Sequence, residues 1–156
     1  MKLEDIKNIT VLGSGIMGHG IAQSFLMGGY KVMLFDISDA ILTTAKAHVK
    51  KNLELFFKSD LIQEEDIETC MGKLTTTTDL EKAVSNADFI VEAAPEDINL
   101  KQDLFEKIES FCSENAIIAS NTSSLTLKKI GEKVKDKSRL VVTHWFNPPH
   151  IVPTVE

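Results

Sequence analysis

The chain has 156 residues, a formal net charge of −6 at pH 7 and a pI near 5.2. Hydrophobic residues make up 43% of it, which excludes a disordered chain, and its length favours a single domain with one core. The acidic balance argues against nucleic acid or an anionic membrane surface as the main partner. No apolar run approaches the roughly twenty residues that cross a bilayer.

The N-terminus and the two cysteines indicate a cytoplasmic protein. Residues 1–7 alternate charged and apolar side chains, unlike a signal peptide. Cys70 and Cys112 fall in helix-like segments, far from each other and from any histidine. They are therefore predicted to be free thiols, and neither a disulfide nor a metal site is expected.

The first predicted strand runs into a glycine-rich turn. Apolar residues 9–12 precede Gly-Ser-Gly-Ile-Met-Gly at 13–18, and a helical apolar pattern follows. A second strand, 31–35, ends on Asp36, about twenty residues after the turn. A GxGxxG motif alone is weak, but strand, glycines, helix, strand and acid in this order are typical of a dinucleotide-binding unit.

Each residue of this unit has a separate physical role. Gly13 allows the tight turn, Gly15 lets the backbone approach a pyrophosphate, and Gly18 lets the helix pack closely. Asp36 would accept hydrogen bonds from ribose hydroxyls and repel a 2′-phosphate, so NAD is predicted over NADP. The alternative is an ordinary strand-to-helix turn with Asp36 capping a loop. The residues predicted to bind cofactor here are Gly13, Gly15, Ile16, Met17, Gly18 and Asp36.

Strand-like and helix-like patterns alternate along the rest of the chain. Apolar residues recur every four positions from Ile41 to Phe57, which predicts a long helix. Thr78 with Glu81 predicts the capping box of a short helix, and Asp97 predicts the cap of the next one. The pattern is that of an α/β Rossmann-type fold, a doubly wound, mostly parallel sheet flanked by helices. Strands are predicted at 8–12, 31–35, 73–76, 88–92, 116–119 and 139–144.

Polar segments follow three of these strands, at 92–101, 120–124 and 144–147. Ligands bind beyond the carboxyl ends of such strands, so the segments should gather at the edge that holds the glycine turn. His144 and Glu156, twelve positions apart, suggest a general base and its carboxylate partner. The alternatives are a purely structural histidine and, for Glu92 and Lys101, solvated loop charges.

Four segments together resemble a known family. They read GSGIMGHGIA at 13–22, VEA at 91–93, SNTSSL at 120–125 and HWFNP at 144–148. In this order they resemble the NAD-binding domain of the L-3-hydroxyacyl-CoA dehydrogenases, over nearly the whole chain. The GxGxMG segment alone also occurs in the broader β-hydroxyacid dehydrogenases, whereas the SNTSS and HxFNP blocks are more specific.

The resemblance implies a role for each matching polar residue near the reacting atoms. His144 would remove the proton of the substrate C3 hydroxyl while hydride leaves C3 for the nicotinamide, and Glu156 would orient the imidazole. Ser123 would hydrogen-bond the reacting oxygen and contact the cofactor, although it could also cap a helix over 124–130. Asn147 would lie beside both cofactor and substrate.

The resemblance also implies contacts farther from the reacting atoms. Glu96 and Lys101 would contact the nicotinamide ribose. Asn52 and Lys58 would lie near the CoA nucleotide of an acyl-CoA substrate such as 3-hydroxybutyryl-CoA.

Two departures from the family leave alternatives open. The segment PPHIVP at 148–153 is closer to relatives that oxidise CoA-free 3-hydroxy acids such as carnitine or gulonate. The family also has a following helical domain that completes the acyl cleft and forms the dimer. We therefore expect residues 1–156 to be the NAD-binding domain of a homo-oligomer, with 152–156 forming a strand. The rival hypotheses are a CoA-free hydroxy-acid dehydrogenase and a non-catalytic NAD-binding module.

Overall fold

A computed structural model of the protein describes residues 2–156. Its strands are β1 (Asn8–Leu12), β2 (Lys31–Phe35), β3 (Leu74–Thr77), β4 (Phe89–Glu92), β5 (Ile117–Ser120) and β6 (Leu140–Val142). They form one parallel sheet in the order β3-β2-β1-β4-β5-β6. Its helices are α1 (Ile16–Met27), α2 (Asp39–Lys58), α3 (Glu64–Lys73), α4 (Leu80–Val84), α5 (Ile98–Phe111) and α6 (Leu127–Ile130). The predicted Rossmann-type fold is confirmed, and the predicted strand limits are correct to within one or two residues.

Helices cover both faces of the sheet, because the central strands are apolar on both sides. On one face, apolar side chains of α1, α2 and α3 form one buried cluster with Val11 and Val91 of the sheet. On the other face, apolar side chains of α4, α5 and α6 form a second cluster with Leu12 and Ile90, and Phe105 of α5 is fully buried in it. Burial of a side chain of this size contributes about 1.5–3 kcal/mol, so the two apolar layers hold the strands in place.

The parallel register sets the ends of the central strands at one level. Leu12 of β1 lies opposite Glu92 of β4, Glu92 lies opposite Ser120 of β5, and Ser120 lies opposite Val142 of β6. The segments that follow these four residues therefore leave the sheet at a common edge, where α1 and α5 also begin. The predicted gathering of the three polar segments beside the glycine turn is confirmed.

The apolar stripe of α2 differs in part from the predicted one. Leu42, Ala45, Val49 and Leu53 are buried, whereas Ile41 and Phe57 at the ends of the stripe are exposed. A spacing of four residues drifts by about 40° per step on a helix with about 3.6 residues per turn, so the ends rotate away from the core.

Within the described residues no helix, including the longest one, α2, has the length and apolar character to cross a membrane.

One of the two predicted caps is wrong. Asp97 caps α5 as predicted, since its carboxylate accepts hydrogen bonds from the N–H groups of Asn99 and Leu100. At α4 the capping residue is Asp79 rather than Thr78, and it accepts a hydrogen bond from the Lys82 N–H. The aspartate is favoured because its negative charge also lies at the positive end of the helix dipole.

The contact between α1 and the glycine turn gives a test of the packing. A Cβ atom on Gly18 would lie 1.7 Å from the carbonyl oxygen of Gly13, whereas one on Gly72 of α3 would meet nothing within 4 Å. We expect Gly18→Ala to lower the free energy of unfolding by about 3 kcal/mol or more. The matched control Gly72→Ala should raise it by about 0.5–1 kcal/mol. Denaturant unfolding of both variants is the measurement, and equal effects would contradict the close approach.

Candidate cofactor site and catalytic residues

The glycine turn has the shape that the sequence predicts. Gly13 has φ of 92°, and a Cβ atom there would lie 2.7 Å from the carbonyl oxygen of Ala93, so both conformation and space require glycine. Its N–H donates to the Phe35 carbonyl at 2.9 Å, which ties the turn to β2. Gly15 caps α1 and faces open space, with nothing within 4 Å of a Cβ position. A phosphate group fits there, beside free N–H groups at the helix N-terminus.

Asp36 lies directly after β2 and holds the glycine turn. Its Oδ2 atom accepts hydrogen bonds from the N–H and the hydroxyl of Ser14, both at 2.8 Å. Its Oδ1 atom accepts one from the Ile37 N–H at 2.8 Å. Each carboxylate oxygen has about two lone-pair positions, so Oδ1 can still accept a hydrogen bond from a ribose hydroxyl. Sequence reasoning identified this acceptor but missed the contact with Ser14.

Glu92 and Lys101 form a buried ion pair, and the alternative of two solvated charges is wrong. The Lys101 Nζ atom lies 2.6 Å from Glu92 Oε1, and the side chains are 1% and 0% exposed. The same Glu92 oxygen accepts a hydrogen bond from the Ala94 N–H at 2.7 Å. The other oxygen, Oε2, accepts one from the Ser120 hydroxyl at 2.6 Å. These partners offset the cost of burying the two charges.

Glu96 is the member of this group that reaches solvent. Its side chain is 39% exposed, and its Oε2 atom lies 3.2 Å from Lys101 Nζ. It accepts hydrogen bonds from the hydroxyls of Thr122 and Ser124. Partial burial raises the pKa of the Glu96 carboxyl, but the hydrogen bonds from Thr122 and Lys101 and the charge of Lys101 outweigh this and leave the pKa below its usual value. Of the pair predicted to contact ribose, only Glu96 is open to a ligand.

Ser123 lies exposed in the turn after β5, and it does not cap a helix. Helix α6 begins at Leu127 with Thr126 at its N-cap position, so the predicted helix over 124–130 is wrong at its start. The Thr122 hydroxyl accepts hydrogen bonds from the N–H groups of Ser124 and Leu125, at 3.3 and 3.0 Å. A side chain that bonds nearby N–H groups in this way competes with helix formation.

His144 and Glu156 are brought together by a turn of the chain. Backbone hydrogen bonds of 2.9 Å join the two residues in both directions. The His144 Nδ1 atom lies 3.5 Å from Glu156 Oε2, and the side chains are 26% and 79% exposed. The predicted strand over 152–156 is reduced to one antiparallel bridge between Trp145 and Val155. Three prolines at 148, 149 and 153 cannot donate the hydrogen bonds of a longer ladder.

The segment around His144 is anchored to the neighbouring strand end. The Trp145 N–H donates to the Asn121 side chain at 2.9 Å, and the Thr143 N–H donates to the Ser120 carbonyl at 2.9 Å. Asn147 is exposed at the start of the following turn. Sequence reasoning missed the anchoring role of Asn121, although its place in the block after β5 was visible.

Three of the four histidines cluster between α1, α2 and the turn at 148–151. The ring centroids of His19 and His48 are 5.2 Å apart, and those of His19 and His150 are 6.3 Å apart. Burial lowers the pKa of His150, and the charge of His19 lowers it further. Across residues 2–156 no group of three or more His, Cys, Asp or Glu side chains has the geometry to hold a metal ion.

The two residues predicted near the CoA nucleotide lie on different sides of α2. Asn52 is half-buried and Lys58 is exposed at the last residue of the helix. Six positions on a helix correspond to a separation of about 120° around its axis. One small group would therefore not touch both side chains, whereas an extended ligand along the helix could.

Comparison with known proteins identifies the family. The sequence profile described as 3-hydroxyacyl-CoA dehydrogenase, NAD binding domain, matches residues 8–156. The chain belongs to this family. The mitochondrial hydroxyacyl-coenzyme A dehydrogenase of Rattus norvegicus is 35% identical, over 97% of this chain and 50% of its own length. A peroxisomal fatty acid beta-oxidation multifunctional protein of Arabidopsis thaliana is 36% identical, over 97% of this chain and 21% of its own length.

A solved structure agrees with this family assignment. The 3-hydroxybutyryl-CoA dehydrogenase of Escherichia coli superposes with a TM-score of 0.93 and 31% identity, over 96% of this chain and 32% of that one. The resemblance and NAD as cofactor are thereby confirmed. The chain spans half or less of the length of these relatives. Two of them are named as mitochondrial and peroxisomal, so a cytoplasmic location stays a prediction.

The buried ion pair gives a second test. Lys101→Met would leave the Glu92 carboxylate buried without its cation, so we expect the free energy of unfolding to fall by about 3–5 kcal/mol. Lys133→Met is the control, because Lys133 pairs with Asp103 at an exposed site and its removal should cause no measurable loss. Urea unfolding of both variants is the measurement. Equal stability of the two variants would contradict the burial of Lys101.

Proposed function

We propose that this chain is the cofactor-binding part of an NAD-dependent dehydrogenase that converts short-chain L-3-hydroxyacyl-CoA to 3-oxoacyl-CoA, or catalyses the reverse reduction. The observation that carries the proposal is the 3.5 Å approach of Glu156 to the His144 imidazole at the edge that also holds the glycine turn. A non-catalytic NAD-binding module would have no use for a histidine and carboxylate pair at this edge.

The residues at the edge fit NAD. The open space over Gly15 accommodates the pyrophosphate at the N-terminus of α1, where Ile16 and Met17 supply backbone N–H groups. Asp36 offers a free acceptor to the adenosine ribose. Glu96, on the other side of the glycine turn, offers one to the nicotinamide ribose. When NAD is bound, its nicotinamide supplies the hydride acceptor.

His144 is the group that would accept the proton of the substrate C3 hydroxyl. A neutral imidazole takes a proton near physiological pH, and a carboxylate beside Nδ1 stabilises the cation that forms and leaves Nε2 for the substrate. Ser123 and Asn147 are exposed near the same strand ends, where they are available to hydrogen-bond the reacting oxygen and to contact the cofactor.

Acyl-CoA is favoured over a CoA-free hydroxy acid. The departure PPHIVP motivates the second candidate, but part of this segment has a packing role. A Cβ atom on Gly20 would lie 2.7 Å from Pro149 Cγ and 2.9 Å from His150 Nδ1, and the Ser24 hydroxyl donates to the Pro149 carbonyl at 3.0 Å. Pro149 and His150 pack on α1, so their presence is explained by packing and gives little support to a CoA-free substrate. Asn52 and Lys58 are the proposed contacts of the CoA nucleotide.

We further propose that a second, helical domain completes the acyl cleft and that the complete enzyme is a homo-oligomer. Phe146, Ile151 and Val155 are exposed apolar side chains in the segment that follows His144, and exposed apolar surface favours burial against another surface. An open, solvated cleft loses much of the benefit of correct positioning. The 156-residue chain should therefore bind NADH yet reduce acetoacetyl-CoA poorly.

Asp36 gives a test of cofactor choice. We expect the chain to bind NADH more tightly than NADPH, because the carboxylate accepts from the ribose and repels a 2′-phosphate. Asp36→Asn should reduce the difference between the affinities for NADH and NADPH. Asp39→Asn, at an exposed position nearby in the sequence, should leave that difference unchanged. Calorimetric titration with both nucleotides is the measurement. Equal or tighter binding of NADPH by the unaltered chain would refute the role of Asp36.

His144 gives a test of proton transfer. In a chain that includes the proposed second domain, His144→Ala should leave NADH affinity nearly intact and lower kcat by about two to four orders of magnitude. Ser123→Ala should have a milder effect, and His48→Ala serves as a control at an exposed histidine. Steady-state reduction of acetoacetyl-CoA is the measurement. Most activity surviving in His144→Ala would assign the proton transfer to another group.

A further inference from the structure

We propose that Glu92 is a positioning residue for the cofactor, which holds Lys101 and the Glu96 loop so that Glu96 is placed to accept hydrogen bonds from the ribose next to the nicotinamide. The inference rests on the proposed NAD-dependent function. Glu92 itself is fully buried, so it would act through Lys101 and the loop that carries Glu96.

The fold places Glu96 where the second ribose should lie. The strand order reverses between β1 and β4, and a dinucleotide lies across the carboxyl ends of the strands at that point. Asp36 follows β2 on one side of the glycine turn, and Glu96 follows β4 on the other side. Each is a carboxylate with an oxygen open to a hydroxyl, so the two acids suit the two ribose groups of one dinucleotide.

Glu92 connects three parts of the molecule that surround this position. Its carboxylate accepts hydrogen bonds from the Ala94 N–H, the Lys101 ammonium and the Ser120 hydroxyl, at 2.7, 2.6 and 2.6 Å. These donors belong to the loop after β4, to α5 and to the end of β5. Because Glu96 lies between Ala94 and Lys101 in the chain, its loop is held on both sides by one carboxylate.

The charges explain why a carboxylate is needed at this position. Lys101 Nζ lies between Glu92 Oε1 at 2.6 Å and Glu96 Oε2 at 3.2 Å. With Glu92 ionised, the three groups carry one net negative charge, and Glu96 remains a strong acceptor. Without the Glu92 charge, the Lys101 ammonium would pair with Glu96 alone and would compete with a ribose hydroxyl for the Glu96 oxygens. A well-packed apolar pair is often as stable as a buried ion pair, so stability by itself is a weak reason for this arrangement.

The same network reaches the turn that carries Ser123. The Ser120 hydroxyl, which donates to Glu92, also accepts a hydrogen bond from the Thr122 N–H at 3.3 Å. The Thr122 hydroxyl in turn donates to Glu96. A change at Glu92 would therefore alter the position of Glu96 by two routes. One runs through Lys101, and the other runs through the turn after β5.

The experiment compares two probes on the 156-residue chain. NADH has the nicotinamide ribose, whereas ADP lacks it and keeps the groups that Asp36 and Gly15 would contact. We expect Glu92→Gln to raise the Kd of NADH about tenfold, the value for one weakened charge-assisted hydrogen bond, and to leave the Kd of ADP unchanged. The control is Glu109→Gln. Glu109 lies near the end of α5, and its carboxylate accepts hydrogen bonds from the N–H groups of Lys135 and Asp136. This variant should change neither Kd.

A double-variant cycle separates positioning from general loss of structure. If Glu92 acts through Glu96, the variant carrying both Glu92→Gln and Glu96→Gln should bind NADH no more weakly than Glu96→Gln alone. Additive losses, or equal losses for NADH and ADP, would overturn the proposal. Thermal unfolding of each variant, with and without ADP, shows whether the fold persists.

A milder variant covers the case in which Glu92→Gln does not fold. Ser120→Ala removes one donor to Glu92 and leaves the ion pair intact, and it should weaken NADH binding without weakening ADP binding. An unchanged Kd of NADH in Ser120→Ala would then overturn the proposal. Failure of the unaltered chain to bind NADH would refute the proposed function together with this inference, whereas tight NADH binding that is insensitive to Glu92 would refute this inference alone.

Discussion

The parallel hydrogen-bonded register of β1, β4, β5 and β6 is the constraint on which the site depends. It places Leu12, Glu92 and Ser120 opposite one another, so the turns that follow all leave the sheet at one edge. A slip of one residue in any pair would exchange the two faces of that strand, so its side chains would no longer fit the apolar layers on either face of the sheet. The two apolar layers therefore enforce the register, and the register brings residues from distant parts of the sequence to one place.

The polar groups at this edge are of two kinds. Glu92 and Asn121 have their acceptors occupied by backbone and side-chain donors of neighbouring segments, so they shape the edge, and Asp36 does so through its contacts with Ser14 while it keeps one free acceptor. Glu96 and His144 retain exposed surface and can meet a ligand. Groups of the first kind keep those of the second in a fixed arrangement, which lowers the reorganisation needed when a ligand binds.

The histidine and its carboxylate are joined in a different way from the rest of the edge. They are close because the chain reverses after β6, and two backbone hydrogen bonds place the residues opposite each other. Their contact therefore depends on a short local turn, whereas the Glu92–Lys101 pair depends on packing between a strand and a helix.

The sequence by itself determined the elements whose signals are local. The glycines at 13, 15 and 18, the strand before them and Asp36 after the second strand identified the fold and the cofactor, because turn geometry and period-dependent burial act within short segments. The spacing of His144 and Glu156 likewise indicated a pair. Only the tertiary structure decided the environment of Glu92 and Lys101, the start of α6 and the extent of the strand after His144. Burial of a charge depends on partners far away in sequence, here Ser120, and no local pattern carries that information.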